Sequence, residues 1–306
     1  MQCDVIIPTY NSAAVLPQAL EALFGQAIPA GWQCRLLLTD DGSIDATIAV
    51  AEPLCQDSGW EYVILQNKHG GRAYNRNRAL ARASAHVILF LQADILLRPG
   101  ALTEHLRFHE QHPSNNQAAL GHIAWDPRLK PSALMEWLTH SGPQNDFDTL
   151  LGRRQVPVPQ YFYGANLSLK RSLLRSERFA ESFQQYGWED YELGVRLARH
   201  GLELVFLEDA LALHRHTYTV SDVKNRQLAV GQELHQVKQR HPSEELPRRK
   251  MLAQRWKYRL ASVGGLVAFL RLLITMWPRL SWPWAFKVVT TAWFWEGYLK
   301  GLIKAK

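Results

Sequence analysis

The chain has 306 residues, 47% of them apolar and 21% charged, enough to bury a sizeable core and too apolar for global disorder. Its net charge of +7 is unevenly placed: residues 248–306 hold twelve Lys plus Arg against one acid, Glu296, a net +11, so the first 247 residues carry −4. An acidic body argues against nucleic acid as a partner. Three cysteines, Cys3, Cys34 and Cys55, lack metal-ligand spacing and argue against a disulfide framework, which favours a reducing compartment.

The first residues enter an apolar strand at once, with no basic leader, so no signal peptide is expected. Apolar runs then recur every 25 to 30 residues: Val5-Ile6-Ile7, Leu36-Leu37-Leu38, Tyr62-Val63-Ile64-Leu65 and Val87-Ile88-Leu89-Phe90-Leu91. Helical patterns separate them, over 15–23, 45–55 and 72–83. Continuous apolar strands alternating with amphipathic helices predict an α/β fold with a mostly parallel sheet covered on both faces. Ligands of such sheets bind beyond the C-terminal strand ends. That rule selects Pro8-Thr9-Tyr10-Asn11, Asp40-Asp41-Gly42-Ser43 and Gln92-Ala93-Asp94, each of which follows a strand.

From 115 to 216 the pattern is less regular. It predicts short strands near 119–125, 160–169 and 204–207, helices over 132–140 and 190–200, and a loop over the site from 142 to 159. A helix from Thr219 to Arg240 ends at His241-Pro242. Beyond Pro247 the composition shifts: 251–299 holds Trp256, Trp277, Trp282, Trp284, Trp293 and Trp295, and the apolar run 260–277 is interrupted by Arg271. The run is borderline for crossing a bilayer. Apolar faces edged by Lys and Arg, with Trp at their boundaries, suit helices lying in an anionic membrane interface, broken by Pro278 and Pro283.

Several groups carry chemistry by residue type. Asp40 and Asp41 can accept from a base N–H and a ribose hydroxyl, or simply form a turn. Asp94 gains meaning if His214 or His216, which share a face of an extended segment, joins it around a hard cation. Glu189, Asp190 and Glu192 exceed what helix capping requires, and Asp190 is the candidate general base, with Trp188 offering an apolar face to a sugar ring. Arg72 and Arg76 follow Gly70-Gly71 and can approach diphosphate oxygens near a helix start. Gly164-Ala165-Asn166 can set backbone and one amide against a sugar hydroxyl.

Together these residues, in this order and spacing, resemble the family 2 glycosyltransferases of GT-A fold over about residues 3–216. The resemblance implies a catalytic domain over 1–216, with a nucleotide-binding half (1–110) and an acceptor and metal half (111–216). A connecting helix (217–247) and a basic, Trp-rich helical tail (248–306) follow. It implies that Pro8, Thr9, Tyr10 and Asn11 line the nucleoside pocket, that Asp40 or Asp41 holds the base, and that Asp94 binds Mn²⁺ or Mg²⁺. Asp190 then matches the base of an inverting reaction, and Gly187-Trp188-Glu189-Asp190 resembles a galactosyltransferase-type motif that favours a UDP-hexose or UDP-N-acetylhexosamine. The acceptor expected is a glycan or lipid-linked glycan at the cytoplasmic face of a membrane. One position departs from the family: Gln92 replaces the first acid of Asp-x-Asp. That departure motivates the rival reading, a non-catalytic nucleotide-sugar-binding or scaffold protein. A nucleotidyltransferase is disfavoured by the lack of a glycine- and lysine-rich triphosphate loop after the first strand.

Overall fold

Each of the four apolar runs of the first hundred residues is a strand: β1 (Gln2–Thr9), β2 (Gln33–Asp40), β3 (Glu61–Gln66) and β4 (Val87–Leu91). The computed structural model describes residues 1–140, 147–244, 265–277 and 280–304. Helices α1 (Leu16–Phe24), α2 (Thr47–Asp57) and α3 (Arg72–Leu80) connect the strands, and β1–β2, β2–β3 and β1–β4 pair in parallel. Val5, Ile6, Leu36 to Leu38 and Val87 to Leu91 are almost fully buried, as strands covered on both faces require. The spatial order β3-β2-β1-β4 reverses chain direction at β1, and the crevice beyond the C-terminal ends of β1 and β4 is where such sheets take ligands.

Beyond β4 the sheet is mixed rather than mostly parallel. Next come β5 (Ile95–Leu97), α4 (Ala101–Gln111), β6 (Gln117–Trp125), α5 (Ala133–His140), β7 (Gln155–Val156), α6 (Val158–Tyr161) and β8 (Asn166–Lys170). The series continues with α7 (Arg171–Leu174), α8 (Glu189–Arg199), β9 (Glu203–His214) and α9 (Val220–Arg240). β8 runs antiparallel to both β4 and β6, and β9 is parallel to β6 but antiparallel to β5 and β7. Three expectations change here. The strand expected over 160–169 is the end of a short helix followed by β8. The strand expected over 204–207 extends to His214. Of the expected loop, residues 141–146 lie outside the described ones, while Gln155–Val156 pairs with Leu204 and Val205, at the opposite end of β9 from His214.

By its contacts the chain divides into two units that interleave in sequence. One holds Met1–Leu129, Leu150–Gln184 and Glu189–His216, and with them the sheet. The other holds Lys130–Thr149, Gln185–Trp188 and Thr217–Lys306 and is helical. In this second unit the Thr219 hydroxyl and Asp222 carboxylate form a reciprocal capping box that starts α9. Helices α10 (Leu266–Met276) and α11 (Pro283–Lys304) follow, the latter opened by Pro283, as the sequence suggests. α9 and α11 pack backbone to backbone: a Cβ on Gly297 would lie 2.1 Å from the Leu228 carbonyl oxygen. Leu134, Leu138, Val223, Leu270, Ile274, Phe286, Val289 and Trp293 form the core of this unit. Among the described residues no helix is long and apolar enough to cross a membrane.

Candidate functional site

The site is built from the loops that leave β1, β2 and β4, the start of α3, the loop before β8, the start of α8 and the end of β9. Parallel register sets Thr9 opposite Asp40. The Thr9 hydroxyl donates to Asp40 Oδ1 at 3.0 Å and the Ser43 N–H donates to Asp40 Oδ2 at 2.8 Å. The Asn11 N–H reaches Ser43 Oγ at 2.8 Å, and Asn11 Oδ1 accepts from the Ile44 N–H at 2.9 Å. Asn11 adopts the left-handed conformation, φ 49°, which an Asx side chain tolerates. Asp41 is bonded on both oxygens: Oδ1 accepts from the Gly70 N–H at 2.9 Å and Oδ2 from the Gly71 N–H at 3.0 Å. The His69 ring lies 2.9 Å from Asp41 Oδ2 and stacks on Tyr10, centroids 4.6 Å apart, with both rings largely exposed. Asp40 and Asp41 therefore join the β1, β2 and β3 loops into one lip.

Asp94 meets His214, one of the two histidines expected near it. β5 pairs with β9 so that Ile95 faces His214, which brings the residue before Ile95 beside the imidazole. Asp94 Oδ2 lies 3.2 Å from His214 Nε2, and the Arg215 N–H donates to the Asp94 carbonyl at 2.8 Å. Burial pushes the Asp94 carboxyl up, but the hydrogen bond to His214 and the charges of His214, His216 and Arg72 outweigh it, holding it below the ordinary range. His216 lies within electrostatic reach of Asp94, its ring centroid 6.2 Å from that of His214. Of the two histidines expected near Asp94, His214 is bonded to it, and among the described residues no group of three or more His, Cys, Asp or Glu side chains able to hold a metal occurs. Sequence reasoning missed what fixes His214. The Trp125 ring stacks on it at 4.9 Å and 10°, the Asp126 N–H donates to its carbonyl at 3.1 Å, and the buried Asp126 carboxylate lies 3.6 Å from Arg215.

Asp190 lies at the start of α8. Its Oδ2 accepts from the Gly164 N–H at 3.0 Å and its Oδ1 from Arg76 Nη1 at 3.2 Å. The same Arg76 nitrogen lies 3.1 Å from Glu189 Oε1. A Cβ on Gly164 would sit 3.1 Å from Asp190 Oδ1, so the glycine allows the close approach. Burial, opposed by Arg76 and helped by Glu189, pushes the Asp190 carboxyl up to about 6. The positive charge of Arg72, at the first position of α3, acts on both Asp190 and Asp94. Gly71, one residue earlier, is bonded to Asp41. The start of α3 thus lies amid all three carboxylates.

Three residues stand elsewhere than expected. Arg76, read as a diphosphate ligand, is 1% exposed and turned inward to the two acids, because it shares the buried face of α3 with Ala73, Asn75 and Ala79. Asn166, read as a sugar ligand, is fully buried. Its amide nitrogen donates to the Ala210 carbonyl at 2.9 Å and its oxygen pairs with His105 Nε2 at 3.0 Å. The other His105 nitrogen pairs with Ser168 Oγ at 2.8 Å, which His109 also meets at 2.9 Å, and burial pushes the two histidines down to about 4 and about 3. Trp188, read as a sugar platform, is 9% exposed, with its indole N–H donating to the Val230 carbonyl at 2.7 Å in the helical unit. Gln92 is partly buried and Ala93 buried.

Residues 4–176 match the family described as Glycosyl transferase family 2. The chain is 24% identical over 260 residues to an uncharacterized glycosyltransferase, YfnE, of Bacillus subtilis, covering 70% of this chain and 65% of the relative. It is 28% identical over 242 residues to a validoxylamine A glucosyltransferase of Streptomyces hygroscopicus, covering 70% and 56%. The chain thus spans less than two thirds of the length of either. In fold it is similar to the mannosyltransferase PcManGT of Pyrobaculum calidifontis, solved with GDP-Man and Mn²⁺. That match has a TM-score of 0.67 and 17% identity and covers 99% of this chain and 88% of that one. It is also similar to residues 1–349 of S. aureus TarS in complex with UDP, with a TM-score of 0.56 and 18% identity, covering 98% of this chain and 92% of that fragment.

Proposed function

The chain belongs to glycosyl transferase family 2, and on that premise we propose that it transfers, with inversion, a hexose or N-acetylhexosamine from a UDP-sugar to a hydroxyl of a glycan or lipid-linked glycan. The observation that carries this reading is the Asp190 carboxylate. Two donors orient it, and its ionisation near pH 6 leaves it charged at neutral pH yet able to accept a hydroxyl proton. As the acceptor oxygen bonds to the anomeric carbon, the bond from that carbon to UDP breaks and the hydroxyl proton passes to Asp190. Arg72 and the N–H groups at the start of α3 provide positive potential for the departing diphosphate. Pro8 to Asn11 with Asp40 or Asp41 would line the nucleoside pocket.

Asp94 and His214 suit a divalent ion. The Asp94 Oδ2 and His214 Nε2, a carboxylate oxygen and an imidazole nitrogen 3.2 Å apart, are donor types that would hold such an ion. Mn²⁺ or Mg²⁺ bound there would offset charge growing on the leaving group. UDP release from a panel of UDP- and GDP-sugars, with Mn²⁺ and after EDTA, tests the reading. The expected result is metal-dependent release from UDP-sugars, and release from GDP-sugars alone would overturn the donor assignment.

Gln92 favours a second reading, a nucleotide-sugar-binding scaffold without turnover. UDP binding with no release from any donor would decide for it. For residues 248–306 the reading is peripheral attachment to the anionic inner face of a membrane, with the enzyme in the cytoplasm. It is supported by α10, where Phe269, Leu272 and Met276 are more than half exposed, Arg271 is exposed beside them, and Trp277 and Trp284 follow. Replacing Phe269 and Leu272 by Ser is expected to release the protein from phosphatidylglycerol vesicles, and unchanged sedimentation would remove the attachment.

A further inference from the structure

We propose that Arg76 is a positioning residue that sets the protonation of the base, by dividing one buried guanidinium between Glu189 and Asp190. The inference rests on the transferase reading only for the role of Asp190, since the sharing is geometric. One nitrogen of Arg76 lies 3.1 Å from Glu189 Oε1 and 3.2 Å from Asp190 Oδ1. The guanidinium also sits over the Phe179 ring, 5.3 Å from its centroid, and Phe179 packs edge-on against Phe90 of β4. Those rings leave it little freedom to swing away. Arg76 Nε and Glu189 Oε2 are buried with no hydrogen-bond partner, so the trio is underbonded on both signs of charge.

Two acids share one cation here, a net charge of −1. The groups facing Asp190 are Arg76 and Arg72 from α3, Glu189 from α8 and the Gly164 N–H from the loop before β8. The two arginines and the amide favour its ionised form, and burial and Glu189 oppose it. Glu189 competes for Arg76 and keeps Asp190 from becoming the weak base that an unshared arginine partner would make of it. Neutralising Arg76 and neutralising Glu189 must move the protonation of Asp190 in opposite directions, which a purely structural role for either would not do.

The test is a ¹³C NMR titration of the full chain labelled at aspartate side-chain carboxyls, with the Asp190 signal assigned through Asp190→Asn. Arg76→Met is expected to move the Asp190 midpoint up by about one pH unit or more, the size of shift an adjacent arginine ordinarily causes. Arg76→Lys should recover part of that shift, and Glu189→Gln should move the midpoint down. The acid limb of kcat/KM should follow each shift. An unmoved midpoint with a raised donor KM would return Arg76 to the diphosphate and overturn the proposal, as would shifts of like sign. If Arg76→Met does not fold, Glu189→Gln decides alone: a downward shift supports the proposal and any other result overturns it. Should the wild type turn over no donor, the transferase reading fails, yet the titration still decides whether the guanidinium is shared.

Discussion

Asp41 and Asp190 are both tied to α3, at different points and in different ways. Asp41 takes the two backbone N–H groups that precede the helix, one on each oxygen. Asp190 takes one backbone N–H and half of a guanidinium buried farther along the same helix. Both are acids at the end of a strand or the start of a helix, which is all that sequence reveals of them. The first is bonded by fixed amides and acts as a strut between loops. The second is held in place while keeping affinity for a proton. Backbone bonds on both oxygens tie Asp41 into its loops, whereas the shared, buried pairing leaves Asp190 able to take a proton.

The contrast is broken most directly by Asp190→Asn. Turnover should fall by about 10² to 10⁴, the usual contribution of a general base, while UDP affinity measured calorimetrically changes little. Equal loss of both would make Asp190 another strut. Asp41→Asn should do the reverse. It replaces one charge-assisted bond and is expected to lower stability by about 2 kcal/mol in a denaturant titration, with a far smaller change in kcat than at Asp190. Acid sharpens the comparison further. Because burial raises Asp190 to about 6, its active, ionised form is lost as pH falls, and kcat/KM should drop about tenfold per unit below that value. A flat profile down to pH 5 would show that Asp190 accepts no proton in the rate-limiting step. The smallest effect is expected from Gly164→Ala, whose Cβ would force Asp190 Oδ1 to give by a few tenths of an ångström. A severalfold loss in kcat with unchanged donor KM would fit, whereas no loss would show the carboxylate to be less tightly held than its bonds suggest.

The first hundred residues are legible because their strands are unbroken apolar runs and the groups at their ends are the polar residues left over. The second half is not. β8 is only five residues long and largely polar, too short for its pattern to reveal its antiparallel direction or the mixed sheet. β9 looked four residues long because Glu208 and Asp209 interrupt its apolar pattern. Those acids lie exposed at a register shift opposite Gly121 and Ile123, beyond which pairing with β6 resumes. Arg76 reads as a diphosphate ligand because it follows Gly70-Gly71 and shares a helical face with Arg72; its actual partners lie more than a hundred residues away, beyond any local periodicity. Residue type places one of His214 and His216 near Asp94 without choosing between them, and Trp125 and Asp126, which fix the imidazole and its neighbour, carry no sequence signal of that role.

The cluster of Asn166, Ser168, His105 and His109 has a consequence for how this chain can change over time. Every member completes the bonding of another inside the sheet and helix core. Exchanging one for an apolar residue strands its neighbour's lone pair or proton away from water, at about 1–3 kcal/mol, while exchanging the whole set for apolar residues of matching shape need cost little. A lineage could pass from this polar junction to an oily one only through several simultaneous replacements or a run of weakened ancestors. These four positions should therefore drift together or stay still.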